Sequence, residues 1–342
     1  MRKYWLITII SSNWFKLYLA LTRHSRNTTS SEVSYALTDA TTITAGVRYT
    51  LDKQSLVGEE SYFNPAIPSV SVRDTEDDEE ITYRLALRHD LTENTNVYAS
   101  YNRGYKSGVY SMSAFTQPRV NPHLIDAYEI GMKSELLDSR LRLNLSLFHY
   151  DISDYQVRAA TDVGANAVLL NAAEVDVNGL ELEVEALLFD GLRVFGSVTV
   201  LDSEFSDFPF APYTVANPSS VGGTSTIIQS AKGNDTPLAP DITGTLGIQY
   251  TLAVGAGHLD MNLLYSYNDG YSYEPDNRLQ QPSFDMINAS MVYQMTPHWG
   301  VELWGKNLTD ETYYVQKLGS ALADVAVAAA PRTVGISINY TY

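Results

Sequence analysis

The chain contains no cysteine, which removes a disulfide framework, a thiolate metal site and a cysteine nucleophile from consideration. Cations are scarce: 23 Lys and Arg stand against 40 Asp and Glu, a formal charge of −17 over 342 residues. A phosphate-tracking protein needs clustered Lys and Arg, so nucleic acid is not expected as a partner. Long apolar runs are missing too. The longest clean one, Tyr4 to Ile10, is shorter than the ~20 residues of a membrane-crossing helix. A disordered chain would hold fewer apolar residues than the 44% found here. Aromatics, by contrast, are plentiful, and 24 of them are Tyr, an excess that asks for a physical cause.

The first residues superficially resemble a secretory leader, with Arg2 and Lys3 followed by the apolar stretch to Ile10. Ser11, Ser12 and Asn13 interrupt it, Lys16 interrupts the next stretch, and no small-x-small cleavage site precedes Arg23, His24 and Arg26. Residues 1–30 are therefore expected to be an atypical N-terminal segment, not a true signal peptide and unrelated to the fold of residues 31–342.

From residue 31 the dominant signal is strict alternation, which puts successive side chains on opposite faces of a strand. Ile43, Ala45, Val47, Tyr49 and Leu51 alternate with Thr42, Thr44, Gly46, Arg48 and Thr50. Leu141, Leu143, Leu145 and Leu147 alternate with Arg142, Asn144 and Ser146. In 180–187, Leu180, Leu182 and Val184 flank a file of Glu181, Glu183 and Glu185. A dry core could not hold three carboxylates on one face, so that face must be wet. Thirteen such strands are expected, at about 32–38, 42–51, 81–88, 96–105, 127–136, 141–147, 180–187, 192–202, 241–252, 258–267, 284–293, 298–307 and 332–342.

Their connections alternate between short ones, such as Phe189 to Gly191, and long ones at roughly 52–80, 106–126, 154–178, 203–240, 268–283 and 308–331. Connections in compact domains have a median of only ~4–6 residues. Six long ones on one side instead suit an up-and-down transmembrane barrel, with ~9–11-residue strands, short periplasmic turns and long extracellular loops. The expected fold is thus all-β, an antiparallel β-barrel of the bacterial outer membrane with lipid around it. Tyr98, Tyr101, Tyr105, Tyr265, Tyr267, Trp299, Trp304, Tyr340 and Tyr342 are expected in its aromatic girdles, which would explain the Tyr excess. An odd strand count is at variance with single-chain bacterial barrels, so the barrel is expected to be partial.

Little points to catalysis. The six His are dispersed, and no Gly-x-Ser-x-Gly, His-Glu-x-x-His or phosphate-binding loop occurs, so neither enzyme activity nor a cofactor or metal is expected. His149 follows an apolar file and is expected at the membrane interface. The acidic run Asp74, Glu76, Asp77, Asp78, Glu79 and Glu80 is expected as a solvated junction between loop and strand. Phe205, Phe208, Phe210, Tyr213, Tyr271 and Tyr273 lie in the long loops, where they suit either capture of a large extracellular ligand or packing of the loops on themselves.

Several segments in order resemble the distal barrel of TonB-dependent outer-membrane receptors. These are Asn96 to Gly108 (NVYASYNRGYKSG), Asn121 to Leu136 (NPHLIDAYEIGMKSEL), Asp138 to Asp151 (DSRLRLNLSLFHYD), Asn178 to Glu185 (NGLELEVE), Val198 to Phe205 (VTVLDSEF), Pro237 to Thr243 (PLAPDIT), Leu303 to Thr312 (LWGKNLTDET) and Pro331 to Tyr342 (PRTVGISINYTY). The resemblance implies a barrel of about 22 strands closed by an N-terminal plug, of which this chain matches the last thirteen. Plug and coupling box have no counterpart here. It further implies energy-coupled uptake of a large ligand such as an iron-siderophore complex, with the TonB coupling complex as partner only where an upstream plug and box exist. The alternative is a non-transporting barrel fragment or passive pore. Val334, Ile336, Ile338, Tyr340 and Tyr342 share one face of the terminal strand, which resembles the signal read by the barrel-assembly machinery.

Overall fold

The computed structural model describes residues 4–10, 16–62, 69–111, 117–160, 167–172, 174–219, 223–319 and 323–341. Twenty strands follow one another in them. The first ten are β1 (Tyr4–Ile10), β2 (Lys16–Thr38), β3 (Thr41–Tyr62), β4 (Val70–Thr92), β5 (Thr95–Lys106), β6 (His123–Leu136), β7 (Leu141–Ser153), β8 (Gln156–Ala160), β9 (Ala167–Asn171) and β10 (Glu174–Phe189). The rest are β11 (Leu192–Asp207), β12 (Ala211–Ala216), β13 (Thr224–Gln229), β14 (Ile242–Val254), β15 (Gly257–Ser272), β16 (Gln280–Gln294), β17 (Trp299–Lys306), β18 (Tyr314–Leu318), β19 (Val325–Ala328) and β20 (Thr333–Tyr340).

Fourteen of these form one antiparallel sheet in the order β1-β2-β3-β4-β5-β6-β7-β10-β11-β14-β15-β16-β17-β20. All thirteen expected strands are among them, and β1 is the addition. Each strand pairs with its sequence neighbours except where a loop hairpin (β8–β9, β12–β13 or β18–β19) intervenes. Tight turns such as Asp39–Ala40, Glu93–Asn94, Asp190–Gly191 and Gly255–Ala256 close one end. Gly191 and Gly255 sit at φ +83° and +62°, the left-handed region that a two-residue hairpin demands and that glycine enters without a Cβ clash.

Two expectations at the start of the sheet are corrected. The division at residue 30 falls inside β2, which pairs with β3 from Lys16↔Tyr62 to Thr38↔Thr41. Residues 52–80, expected as a loop, are mostly ladder, because β3 and β4 stay paired from Thr41↔His89 to Glu60↔Val70. The reason is hydration. Beyond Leu51 the outward positions of β3 are Lys53, Ser55, Val57 and Glu59, three of the four polar, so the ladder leaves the lipid zone and loses its apolar alternation without losing its hydrogen bonds. Residues 1–3, 11–15 and Tyr342 lie outside the described residues.

One face of the sheet is apolar and exposed: Leu85, Ile130, Leu246, Leu303, Val334, Ile336 and Ile338 are between 49% and 72% accessible. Soluble monomers rarely expose an apolar surface of this extent, whereas a lipid-facing barrel requires one. At the loop end of this face Tyr83, Tyr101, Tyr128 and His149 stand side by side on four neighbouring strands, with ring centroids 5.7, 4.9 and 6.1 Å apart. Of the residues expected in the girdle Tyr101 stands in this row, with His149, expected at the interface, at its end; Tyr83 and Tyr128 are additions to the expectation. Tyr265, Tyr267, Trp299 and Tyr340 also face outward.

Tyr98 and Trp304 do not. Tyr98 is partnered by Arg88 and Gly131, and Trp304 by Ser290 and Gly335, which places both on the inner, polar face. Their parity within the strand, shared with Ser100 and Asn102 or with Glu302 and Lys306, decides against the girdle. On that face four rings lie over a directly opposite glycine: Tyr98 over Gly131, Phe148 over Gly179, Phe195 over Gly247 and Trp304 over Gly335. A Cβ at any of these glycines would come within 2.1–2.5 Å of the ring. Tyr105, the remaining girdle expectation, has its hydroxyl buried.

Candidate functional site

The sheet presents two surfaces to anything entering from the loop end, an inner wall and a layer of ordered loops. On the wall, β10 sets Glu181, Glu183 and Glu185 opposite Ser146, Asn144 and Arg142 of β7 and Thr199, Ser197 and Phe195 of β11. The wet face expected for this file is therefore the inner wall. Neighbouring strands supply what β10 lacks. Arg193 donates to Glu185 at 2.7 Å, Arg142 donates to it at 3.4 Å, and Asn144 donates to Glu183 at 3.1 Å. Arg193 also lies 4.6 Å over the Phe195 ring, a cation–π contact. From Phe195 a groove of about 570 Å³ runs past Asn262 and Asn288 to Glu302 and Trp304.

The loop layer is tied down at three places. At the first, the extended β3–β4 hairpin carries two buried carboxylates on its inner face. Asp52, fully buried, accepts from Arg26 Nε and Nη2 at 2.8 Å each and bonds His24 Nε2 at 2.9 Å. Asp78 forms a two-point ion pair with Arg119, with Nη1 at 2.9 Å, and accepts the Gly108 amide at 3.2 Å. Gln54 donates to the Gly108 carbonyl at 2.6 Å. The segment after β5 is thus held against the hairpin by charge-assisted bonds. The acidic run of residues 74–80 is therefore strand rather than junction: Asp74, Glu76, Asp77 and Glu79 stay exposed while Asp78 is buried on its arginine. Among the described residues no three His, Asp or Glu stand close enough together to hold a metal ion.

The second place is apolar. Val157, Ala172, Val175, Val177, Phe205 and Phe208 form a buried cluster with Ala211 and Ala231, and Tyr155 packs edge-on against Phe205 at 6.2 Å. Of the loop aromatics, Phe205 and Phe208 are therefore self-packed, Tyr273 is buried apart from them and donates to the Tyr314 carbonyl at 2.6 Å, and the Tyr213 hydroxyl donates to the Ser230 carbonyl at 3.2 Å. Phe210 is 75% exposed.

The third place is the turn 273–279 between β15 and β16, which grips two other loops. Asp276 accepts the Thr214 amide at 3.1 Å, and the Pro275 carbonyl accepts from Asn234 at 2.7 Å. Arg278 forks onto Asp324 at 2.7 and 2.8 Å, while buried Glu274 accepts the Gly319 amide at 3.1 Å. Burial pushes the Glu274 carboxyl above the usual carboxylate range, and its second oxygen is buried with no hydrogen-bond partner. The motif Leu303 to Thr312 has a local cause as well. Asn307, at φ 51°, caps its own turn by accepting the Glu311 amide and donating to the Glu311 carbonyl, both at 2.9 Å.

The last strand sets Val334, Ile336, Ile338 and Tyr340 on the exposed outer face, as their spacing requires. The six His do not converge: His24 bonds Asp52, His89 bonds Thr41, His298 bonds the Thr341 carbonyl, and the others stand elsewhere.

Comparison with known proteins agrees with this architecture. Residues 12–308 match the family model for the TonB dependent receptor-like β-barrel. The chain is 26% identical over 275 residues to the probable TonB-dependent siderophore receptor PiuA of Acinetobacter baumannii, covering 77% of this chain and 34% of that protein. It is 24% identical over 316 residues to the pesticin receptor of Yersinia pestis, covering 91% and 43%. Among solved structures, the ferric yersiniabactin uptake receptor FyuA of Yersinia pestis superposes with a TM-score of 0.79 at 21% identity, over 95% of this chain and 47% of that one. The chain thus spans less than half the length of these relatives. With the lipid-facing sheet, the polar wall and the ordered loops it carries, this chain belongs to the TonB-dependent receptor family, as part of its outer-membrane β-barrel.

Proposed function

We propose that the chain forms the C-terminal wall of an outer-membrane receptor that takes up a large ligand, such as an iron-siderophore complex, by energy-coupled transport. The observation that carries this reading is the combination of a polar inner wall with a loop layer fixed by buried ion pairs and an apolar cluster, on a sheet whose likeness to a ferric yersiniabactin uptake receptor extends over 95% of the chain. The plug and the contact with the TonB complex belong, in this reading, to receptor sequence without a counterpart in these residues. The outward file of β20, with Tyr342 continuing it, is taken to be what the barrel-assembly machinery reads.

The test is uptake of radioiron by iron-starved cells offered a panel of ferric siderophores, with and without the gene. Loss of at least one uptake activity on deletion, its restoration by the gene and its collapse when the proton-motive force is dissipated are the expected results. Uptake that survives loss of the proton-motive force, or leakage of small solutes through the membrane-resident product, would replace the receptor with a passive pore. The mass of the native product, detected through its C-terminal strands, complements this: roughly twice the calculated 37.9 kDa is expected for a barrel of about 22 strands with its plug.

A further inference from the structure

Above the girdle a gap opens in the sheet between β4 and β5. β4 keeps its ladder with β3 as far as Glu60↔Val70, whereas its ladder with β5 ends at Arg84↔Asn102. β5 itself runs on to Lys106, but beside β6. From Ser71 to Tyr83 β4 is therefore an edge strand on the loop side of the membrane, and among the described residues no backbone group other than those of β3 bonds it there.

The register says which groups the edge offers. The Asp90 amide donates to the Ala40 carbonyl at 2.8 Å, and the β3–β4 ladder runs from there without a shift. In an antiparallel strand successive residues turn their amide and carbonyl to opposite neighbours. Even-numbered residues of β4 thus bond β3, while Arg73, Thr75, Asp77 and Glu79 turn their N–H and C=O to the gap. The Thr75 amide, with no strand before it, donates to the Asp74 carboxylate at 2.8 Å.

An open edge templates pairing with any extended chain, a second copy included. Its side chains narrow the choice. Asp77 and Glu79 stand on the outer face and Asp74 and Glu76 on the inner one, all exposed. Lys53 answers Asp77 at 3.1 Å and Arg119 answers the buried Asp78, while Asp74, Glu76 and Glu79 have no ion-pair partner among the described residues. A second copy would set carboxylate against carboxylate on both faces, which opposes pairing; a strand rich in Lys and Arg would meet opposite charge on both.

We infer that the β4 edge is a docking site for an extended cationic peptide segment, which joins the sheet as a further strand in the gap. Main-chain bonds to Arg73, Thr75, Asp77 and Glu79 supply the hold, and the carboxylates on either side choose the partner. The gap lies between two neighbours within the sheet, so whatever adjoins β1 or β20 leaves it as it is, and it stands beyond the girdle, outside the lumen that a plug fills. Neither ligand uptake nor energy coupling enters the inference.

The experiment uses the receptor at its native length, in the outer membrane of intact cells treated with an uncoupler. The probe is a peptide of about eight residues, long enough for a full strand, built from lysine and threonine around one central cysteine. That cysteine is carried as a mixed disulfide with thiopyridine, so that a thiol introduced by Thr75→Cys displaces thiopyridone and keeps the peptide. Ser55→Cys, beside Thr75 on the same face but one strand back from the gap, is the reference, and it cancels attraction of the peptide to the membrane at large. Capture at Thr75→Cys should be at least about tenfold faster than at Ser55→Cys, because an added strand lies one ladder spacing from β4 and two from β3. Methylating alternate amides of the peptide, which keeps its charge, should remove at least about nine-tenths of that preference. Glu76→Gln with Glu79→Gln should lower it several-fold, and a glutamate-for-lysine peptide should not be captured. Capture that methylation leaves unchanged would reduce the edge to a charged surface. Equal capture at the two positions, or none, would mean that the charges only blunt the edge. Each of these outcomes overturns the site. Since the cells are de-energised and the readout is covalent capture, failure of siderophore uptake bears on the receptor reading alone.

Discussion

Ile338 stands in the middle of β20, opposite Val301, with 68% of its surface on the lipid side. Arg at that position would place a charge in hydrocarbon, at a cost of about 2–4 kcal/mol near the bilayer midplane. Ile338→Arg is therefore expected to lower the outer-membrane level of the protein and its resistance to denaturant, while Ser337→Arg, one residue away and facing inward opposite Glu302, should be tolerated. Equal behaviour of the two would mean that β20 does not separate a lipid face from an inner one, and the opposite order that the faces are reversed. Gly179 permits a second test at the same scale. Its missing Cβ would lie 2.1 Å from the Phe148 ring, so Gly179→Ala forces the ring off the strand, at about 1–3 kcal/mol of overpacking. Denaturant unfolding should show that loss, and Phe148→Ala should no longer be additive with it.

The turn 273–279 is the element whose behaviour should depend most on pH. The Glu274 carboxyl titrates higher in the folded loops than in an unfolded chain, chiefly because it is buried. The folded state therefore holds the proton more tightly, and this stabilisation is complete below the unfolded value of 4.5 and is lost as pH rises through the folded one. Above it the ionised carboxylate is a liability to the latch. Glu274→Gln is expected to slow amide exchange in the loops it joins at neutral pH and to match the parent below about pH 4.5. A parent whose loop exchange shows no such pH dependence would refute this. Elements of this kind were not legible in the sequence, whereas the membrane strands were. Leu141 to Leu147 announces itself because lipid and water impose opposite demands on alternate residues. Once β3 passes Leu51 both faces are wet or protein-covered, alternation ceases to report the strand, and Asp52 and Asp78 look like loop residues although they are among the most buried carboxylates in the molecule. Arg119, which compensates Asp78, lies 41 positions away and carries no local mark. Facing is legible in parity: Tyr98 and Trp304 alternate in step with polar neighbours, and that signal outranks a general taste of aromatics for girdles.

Taken whole, the molecule consists of a sheet held by backbone ladders and a loop layer held by side chains, and the two should loosen separately. Phe205, fully buried in the loop cluster, sits at the upper end of β11 opposite Val175 of β10 and packs against Tyr155 and Phe208. Phe205→Ala is expected to cost about 3–5 kcal/mol in opening of the loop layer while leaving exchange of the central ladder amides unchanged. Uniform acceleration across both layers would show one cooperative unit instead. The rings that lie over glycines bear on how such a sheet finds its alignment at all. Strands joined by two-residue turns have their alignment dictated by the turn, but β5–β6, β7–β10, β11–β14 and β17–β20 are joined by long segments that dictate nothing. Those four joints are the ones that carry a ring seated on a directly opposite glycine. A slip of two residues would keep every side chain on its proper face and would escape detection by hydrophobicity, yet it would drive each ring onto Lys133 or Glu129, Val177 or Glu181, Thr245 or Gln249, and Thr333 or Ser337. The glycines thus act as proofreading marks, rejecting at these four joints the one class of error that the membrane itself cannot see.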